Sequence, residues 1–201
     1  MSNKDWTGNK NSIYKTLGAS AHTDKDREEN DYYATDPIAI DVLFSVESFQ
    51  GSIWECACGE GHLSKRMAEN GKVVVSTDLI DRGFGIPGID FLETNPAMGD
   101  NIITNPPYKY ALEFAEHALD ILEDGKKLAL FLKLQFLEGK KRKQFFINYP
   151  PKKVYVSSSR ILCAKNADFQ GMKDGGGSAV AYAWYVWQKG YLGNTSLRWV
   201  N

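Results

Sequence analysis

What the chain has little of narrows its chemistry. It carries three cysteines, Cys56, Cys58 and Cys163. They are irregularly spaced and have no second Cys or His pair at ligand spacing, which argues against a disulfide framework and a structural zinc site. Histidine is as scarce, and His22, His62 and His117 stand in no ligand or triad pattern, so no metal and no histidine base is expected. No apolar run reaches the roughly 18 residues of a membrane helix, and no signal peptide opens the sequence. A cytoplasmic protein without membrane contact is expected. Net charge is nearly absent, at −1, so bulk electrostatics do not announce a polyanionic partner.

What is present suits one domain: 201 residues, 43% of them hydrophobic, can bury a sizeable core. The near-neutral total hides an uneven distribution. Residues 125–153 hold nine lysines and arginines against one acid, Glu138, a run that fits either a solvated face or phosphate contact.

Residues 1–31 are polar, without an apolar period, and read as an N-terminal arm; 32–201 read as the folded domain. Thr35 or Asp36 caps a helix with Pro37 at its first position, its apolar face formed by Ile38, Val42, Val46 and Phe49. Strands are expected at SIWEC, VVVSTD, residues 88–91, NIIT and KKLALFLKL, and helices at HLSKRMAEN, YALEFAEHALDILED and EGKKRKQFFIN. That alternation predicts a parallel sheet covered on both faces. KKVYVSS and AVAYAWYVWQKG are β-rich and suit antiparallel pairing at a sheet edge. The long polar loop from Ser158 to Ser178 joins them, with Gly171, Gly175, Gly176 and Gly177.

The polar clusters recur at strand ends. Glu55 is followed by Ala57, Gly59 and Gly61 before a helix, an arrangement in which missing Cβ atoms and helix N–H donors let a ligand approach the backbone. The third glycine of the dinucleotide fingerprint is missing, which weighs against NAD or FAD. Asp78 closes the next strand about twenty residues on, where a carboxylate can accept both hydroxyls of a ribose. Asp90 and Phe91 supply an acceptor for an amino group and a ring to cover a heterocycle. NIITNPPY (101–108) then offers the Asn105 side-chain carbonyl, two rigid prolines without N–H donors, and the flat face of Tyr108. Strand carboxyl ends are where open α/β sheets bind ligands.

Taken together, these residues resemble the S-adenosylmethionine-dependent DNA adenine N6 methyltransferases of the NPPY type, over most of 32–189. In that resemblance YATDP, with Tyr33, Thr35 and Pro37, contacts the methionine end of the cofactor. ECACGEG is similar to the cofactor loop, Asp78 with Leu79 to the ribose site, and Asp90 with Phe91 to the adenine site. Asn105, Pro106, Pro107 and Tyr108 match the catalytic motif. The order of motifs is similar to the gamma arrangement. The resemblance implies a Rossmann-like class I methyltransferase fold with a seven-stranded, mostly parallel sheet, one antiparallel strand, and helices on both faces.

The motif has a physical rationale. A purine amino nitrogen is a poor nucleophile because its lone pair is delocalised. Acceptance of its protons by Asn105 Oδ1 and the Pro106 carbonyl favours a pyramidal nitrogen. Tyr108 would stack on an adenine flipped from DNA, with Tyr182 or Trp184 as candidates for a second wall. Lys140, Lys141, Arg142 and Lys143, and the glycine-rich loop, are candidates for backbone contact. The length suggests a small, phage-like member without a separate target-recognition domain. Competing expectations are methylation of RNA adenine or of a protein glutamine amide, and an inactive nucleic-acid-binding protein that retains the fold.

Overall fold

A computed structural model describes residues 33–164, 167, 169–174 and 180–201. The N-terminal arm and Gly175, Gly176 and Gly177 of the long loop lie outside the described residues. In chain order the elements are β1 (Ala34–Thr35), α1 (Ile38–Val46), β2 (Ile53–Glu55), α2 (His62–Glu69), β3 (Val74–Asp78), β4 (Ile86–Pro87), β5 (Asn101–Thr104), α3 (Ala111–Ile121), β6 (Lys127–Lys133), α4 (Lys140–Asn148), β7 (Lys153–Ser157), β8 (Cys163–Ala164), α5 (Phe169–Asp174), β9 (Tyr182–Gln188) and β10 (Ser196–Val200).

Eight strands form one sheet in the order β10-β7-β9-β6-β5-β2-β3-β4. Only β9 runs against its neighbours, β6 and β7; the other pairings are parallel. Both faces of the central strands are apolar because helices cover both. Phe114, Ala115 and Ala118 of α3 and Phe145 of α4 pack with Trp54, Ile102 and Leu130 on one face. On the other, Ile40 and Leu43 of α1 and Leu63 and Met67 of α2 meet Ile53, Ile103 and Phe131. The chain order reverses between β2 and β5, the switch point where the sheet edge opens into a crevice. Strands β1 and β8 form a separate antiparallel pair.

Six of the seven expected strands are present, with local corrections. In α1 the buried residues are Ala39, Ile40, Val42 and Leu43, whereas Ile38 is 50% exposed and Val46 38%. Steps of four turn about 400° and drift round the helix, so 38, 42 and 46 do not share its inner face. The strand expected at 88–91 is instead the two-residue β4 followed by a 3₁₀ turn at Phe91–Glu93, which Asp90 nucleates by accepting the Leu92 N–H at 2.9 Å. Strands β7 and β9 pair antiparallel as expected but inside the sheet, because β10 adds an eighth strand beyond β7. The Ser158–Ser178 loop contains β8 and α5.

Candidate active site

A cavity of about 1140 Å³ lies at the carboxyl ends of β2, β3, β5 and β6. Glu55, the last residue of β2, is only 2% exposed. Ser64 Oγ of α2 donates to its Oε2 and shares a second hydrogen bond with Ser76 Oγ at 2.6 Å. Burial pushes the Glu55 carboxyl up to about 8, with the Ser64 bond working against it. Burial likewise raises both neighbouring thiols, Cys58 to about 12. Neutral thiols fit a packing role rather than a nucleophilic one.

The loop after β2 is shaped by Gly61, whose φ is +79° and whose Cβ would meet Phe84 Cδ1 at 2.3 Å. Only glycine admits that ring. Gly59 N–H donates to Asp78 Oδ2 at 2.8 Å and Ile80 N–H to Asp78 Oδ1 at 2.9 Å. The backbone thus fixes the carboxylate at the mouth of β3, and each oxygen keeps a lone pair for a ligand hydroxyl. Phe91 is held in an aromatic nest, with ring centroids 5.2 Å from Trp54, 4.7 Å from Phe114 and 5.0 Å from His117.

Asn105 sits immediately after β5. Its Nδ2 donates to Thr35 Oγ1 at 2.7 Å and approaches Cys163 Sγ at 3.8 Å. The paired strands β1 and β8 bring those two partners together. Asn105 Oδ1 is buried without a hydrogen-bond partner among the described residues. A buried acceptor left unpaired costs about 1–3 kcal/mol, and such groups in a cavity wall point to a ligand donor. Beside it the Tyr108 hydroxyl donates to Tyr182 Oη at 3.1 Å. The Tyr33 ring faces Tyr108 at 6.1 Å with a 28° tilt, and Lys133 Nζ lies 4.2 Å from the Tyr108 ring centroid.

One cavity therefore gathers Tyr33, Thr35, Glu55, Ala57, Asp78, Leu79, Asp90, Phe91 and Asn105, with Pro106, Pro107 and Tyr108. Pro37, Gly59 and Gly61 are not in its wall: Pro37 precedes α1, and the glycines shape the loop behind it. Trp184 is removed from the site. It is fully buried, its indole N–H donates to Ala39 O at 2.8 Å, and it packs on Phe131. Strand alternation sends Tyr182 and Trp184 to one face of β9 and Tyr185 and Trp187 to the other, and both faces are covered. Tyr182 stacks on Phe131 at 5.2 Å, accepts the Tyr108 hydroxyl bond and lies 6.1 Å from the Tyr108 ring at a 37° tilt, but it is not in the cavity wall; Tyr33, at the same distance and a 28° tilt, is. Lys140, Lys141 and Lys143 are exposed on α4 outside the cavity. Arg142 folds back, donating to Gln135 O at 3.2 Å and covering Phe136.

Of the residues that sequence reasoning did not assign to the site, three bear on its chemistry. His62 lines the wall, against Phe169, and burial lowers its pKa. Cys163 reaches Asn105 only through the β1–β8 pairing, which no local signal announces. Lys133 lines the wall as the last residue of β6, a place its position at the end of an apolar strand could have revealed. Among the described residues no group of His, Cys, Asp and Glu is arranged to hold a metal, and no helix is long and apolar enough to cross a membrane.

The chain matches no protein-family model and no curated protein. Solved structures do share its fold. A Listeria monocytogenes protein provisionally assigned as a class I S-adenosylmethionine-dependent methyltransferase superposes with a TM-score of 0.52 at 13% identity, over 80% of this chain and 63% of its own. A modification subunit provisionally assigned to a type I restriction enzyme of Vibrio vulnificus YJ016 gives 0.54 at 13% identity, over 92% of this chain and 49% of its own. An Agrobacterium tumefaciens protein described as a predicted O-methyltransferase gives 0.53 at 15% identity, over 82% and 85%. The chain has the Rossmann-like fold of class I methyltransferases, and it spans about half to two thirds of the first two structures.

Proposed function

We propose that residues 32–201 transfer the methyl group of S-adenosylmethionine to the exocyclic N6 amino group of adenine in DNA. The observation that carries this reading is the buried, unpartnered Oδ1 of Asn105, in a side chain that the bond from Nδ2 to Thr35 fixes and that lines the cavity with Tyr108. An acceptor so placed calls for an N–H donor on the ligand.

The cavity fits the cofactor. Asp78 keeps lone pairs for ribose hydroxyls, the nested Phe91 with Asp90 suits an adenine, and Tyr33 and Thr35 close the far side. Bound there, S-adenosylmethionine supplies a methyl group activated by its sulfonium. Asn105 Oδ1 and the Pro106 carbonyl accept the two protons of the target amine and hold its lone pair out of conjugation. The nitrogen's surplus proton passes to water after transfer, so no strong base is needed. Tyr108 holds the flipped base, with Tyr33 as the opposing ring.

The basic rim favours DNA over a protein amide: Lys109 and Lys133 line the cavity, and Lys140, Lys141 and Lys143 are exposed on the helix after β6. The resemblance in fold to a restriction modification subunit is consistent with this reading. Within these residues, the candidates for target reading are the N-terminal arm, residues 135–150 and the 158–178 loop.

The test offers methyl-labelled S-adenosylmethionine with duplex DNA, single-stranded DNA, RNA and a protein mixture, followed by nucleoside and amino-acid analysis. N6-methyladenine from DNA is expected. Label confined to RNA or to glutamine would replace the substrate, and bound cofactor with no label anywhere would leave a binding protein. Asn105→Ala should cut turnover by about 100-fold or more while cofactor affinity stays within a few fold; a fully active variant removes Asn105 from the chemistry.

A further inference from the structure

The half-buried lysines of the described residues follow one pattern with one exception. Lys72, Lys126, Lys127, Lys152, Lys153 and Lys189 each place the ammonium on an oxygen. Lys133 is equally half-buried, yet its ammonium makes no hydrogen bond or ion pair with any described residue. Its ammonium rests only on the face of Tyr108, 4.2 Å from the ring centroid. Such a contact is worth about 0.5–2 kcal/mol, less than desolvating an unpaired cation can cost. A cation held this way in a cavity wall is complementary to an anion that arrives with a ligand.

Position says which anion. Lys133 ends β6, next to β5 and Asn105, on the Tyr108 side of the cavity rather than at Asp78 on β3. The segment that follows leads into α4 with exposed Lys140, Lys141 and Lys143. A base seated on Tyr108 brings its own backbone phosphate to this side, and an amide side chain brings no such charge. Resting on the DNA-adenine reading above, we propose that Lys133 binds a backbone phosphate next to the flipped nucleotide, leaving the Tyr108 face as the base enters. The site is thereby selective for a nucleic-acid strand over a protein amide.

The test compares wild type with Lys133→Met and Lys133→Arg for affinity to a duplex oligonucleotide across a salt titration, and for affinity to S-adenosylmethionine. A second duplex carries one uncharged methylphosphonate beside the target adenine. Lys133→Met is expected to weaken duplex binding by about tenfold and to reduce the slope of log K against log salt by about 0.9. Lys133→Arg should restore both, which a folding defect would not allow. The methylphosphonate should weaken wild type and leave Lys133→Met no weaker than it already is. An unchanged slope and duplex affinity overturn the proposal. So does a loss confined to S-adenosylmethionine affinity, which would assign Lys133 to the cofactor's carboxylate. If wild type binds duplex with a Lys133-dependent slope and yet methylates nothing, the phosphate contact stands and the transfer reading falls.

Discussion

An asparagine amide is useful to an amine only in one of its two orientations. With Nδ2 on Thr35 Oγ1 at 2.7 Å, the Asn105 amide is fixed in one orientation and its oxygen is left for a donor; turned over, it would meet an amine with two donors. Thr35 thus acts through Asn105, in addition to lining the cavity. Thr35→Val keeps the shape and loses the hydroxyl, so turnover should fall by about 100-fold, with cofactor and DNA affinities within a few fold, while Thr35→Ser retains activity. Equal losses in the two variants, or a change in affinity alone, would leave Thr35 a packing residue. Glu55 gives a pH signature at the same scale. Its carboxyl is raised to about 8 in the fold by burial, so the folded state holds a proton that the unfolded chain has already lost. The stability this confers is present in full below the ordinary glutamate range and is lost as pH rises through about 8. Urea unfolding should therefore show wild type losing stability relative to Glu55→Gln between pH 5 and pH 9; parallel pH profiles would place the ionised form in the fold.

Elements are tied together by a second buried carboxylate. Glu47, just past α1, accepts from Lys127 of β6 at 2.6 Å, Lys153 of β7 at 2.8 Å and Tyr155 Oη at 2.7 Å. Burial opposes its ionisation, but these three donors outweigh burial and hold the carboxyl at about 2. The sign is opposite to that of Glu55: the contribution is present above the ordinary glutamate range and is lost as pH falls through about 2. Glu47→Gln leaves two cations facing a neutral group and should cost about 3 kcal/mol at neutral pH. Chemical unfolding should show that gap narrowing from pH 5 toward pH 2; a constant gap would mean lost packing rather than lost charge. How legible these elements were followed their burial. Strands β5, β6 and β9 announce themselves as apolar runs because helices cover both faces. Strand β10 escapes because, as an edge strand with Leu197 and Trp199 exposed, it carries no burial pattern. Asp78 and Asn105 were legible because each lies at its own strand's end, whereas the Thr35, Cys163 and Lys133 contacts join residues distant in sequence, which only topology brings together.

At the scale of the whole molecule, the sheet separates what holds the chain together from what holds a ligand. The two apolar layers lie on its faces, and the cavity opens at one edge across the switch between β2 and β5. Perturbations of the two should therefore be separable. Product-like S-adenosylhomocysteine at a hundred times its Kd stabilises a native state by about 2.7 kcal/mol, which for a chain of this size is a rise in Tm of about 5–10 °C. Trp184→Ala empties a core site on the α1–α2 face and should lower the stability of the free protein by about 3–5 kcal/mol, while the ligand-induced rise persists. Asp78→Ala should do the reverse. Its own Tm falls less, because the lost bonds to Gly59 and Ile80 lie at the cavity rim, but the ligand-induced rise disappears at the same concentration. The comparison must be made on the shift and not on the absolute Tm, since both variants lower the latter. A ligand-induced rise that survives Asp78→Ala would take the ribose contact away from β3, and one abolished by Trp184→Ala would put core and site in a single cooperative unit.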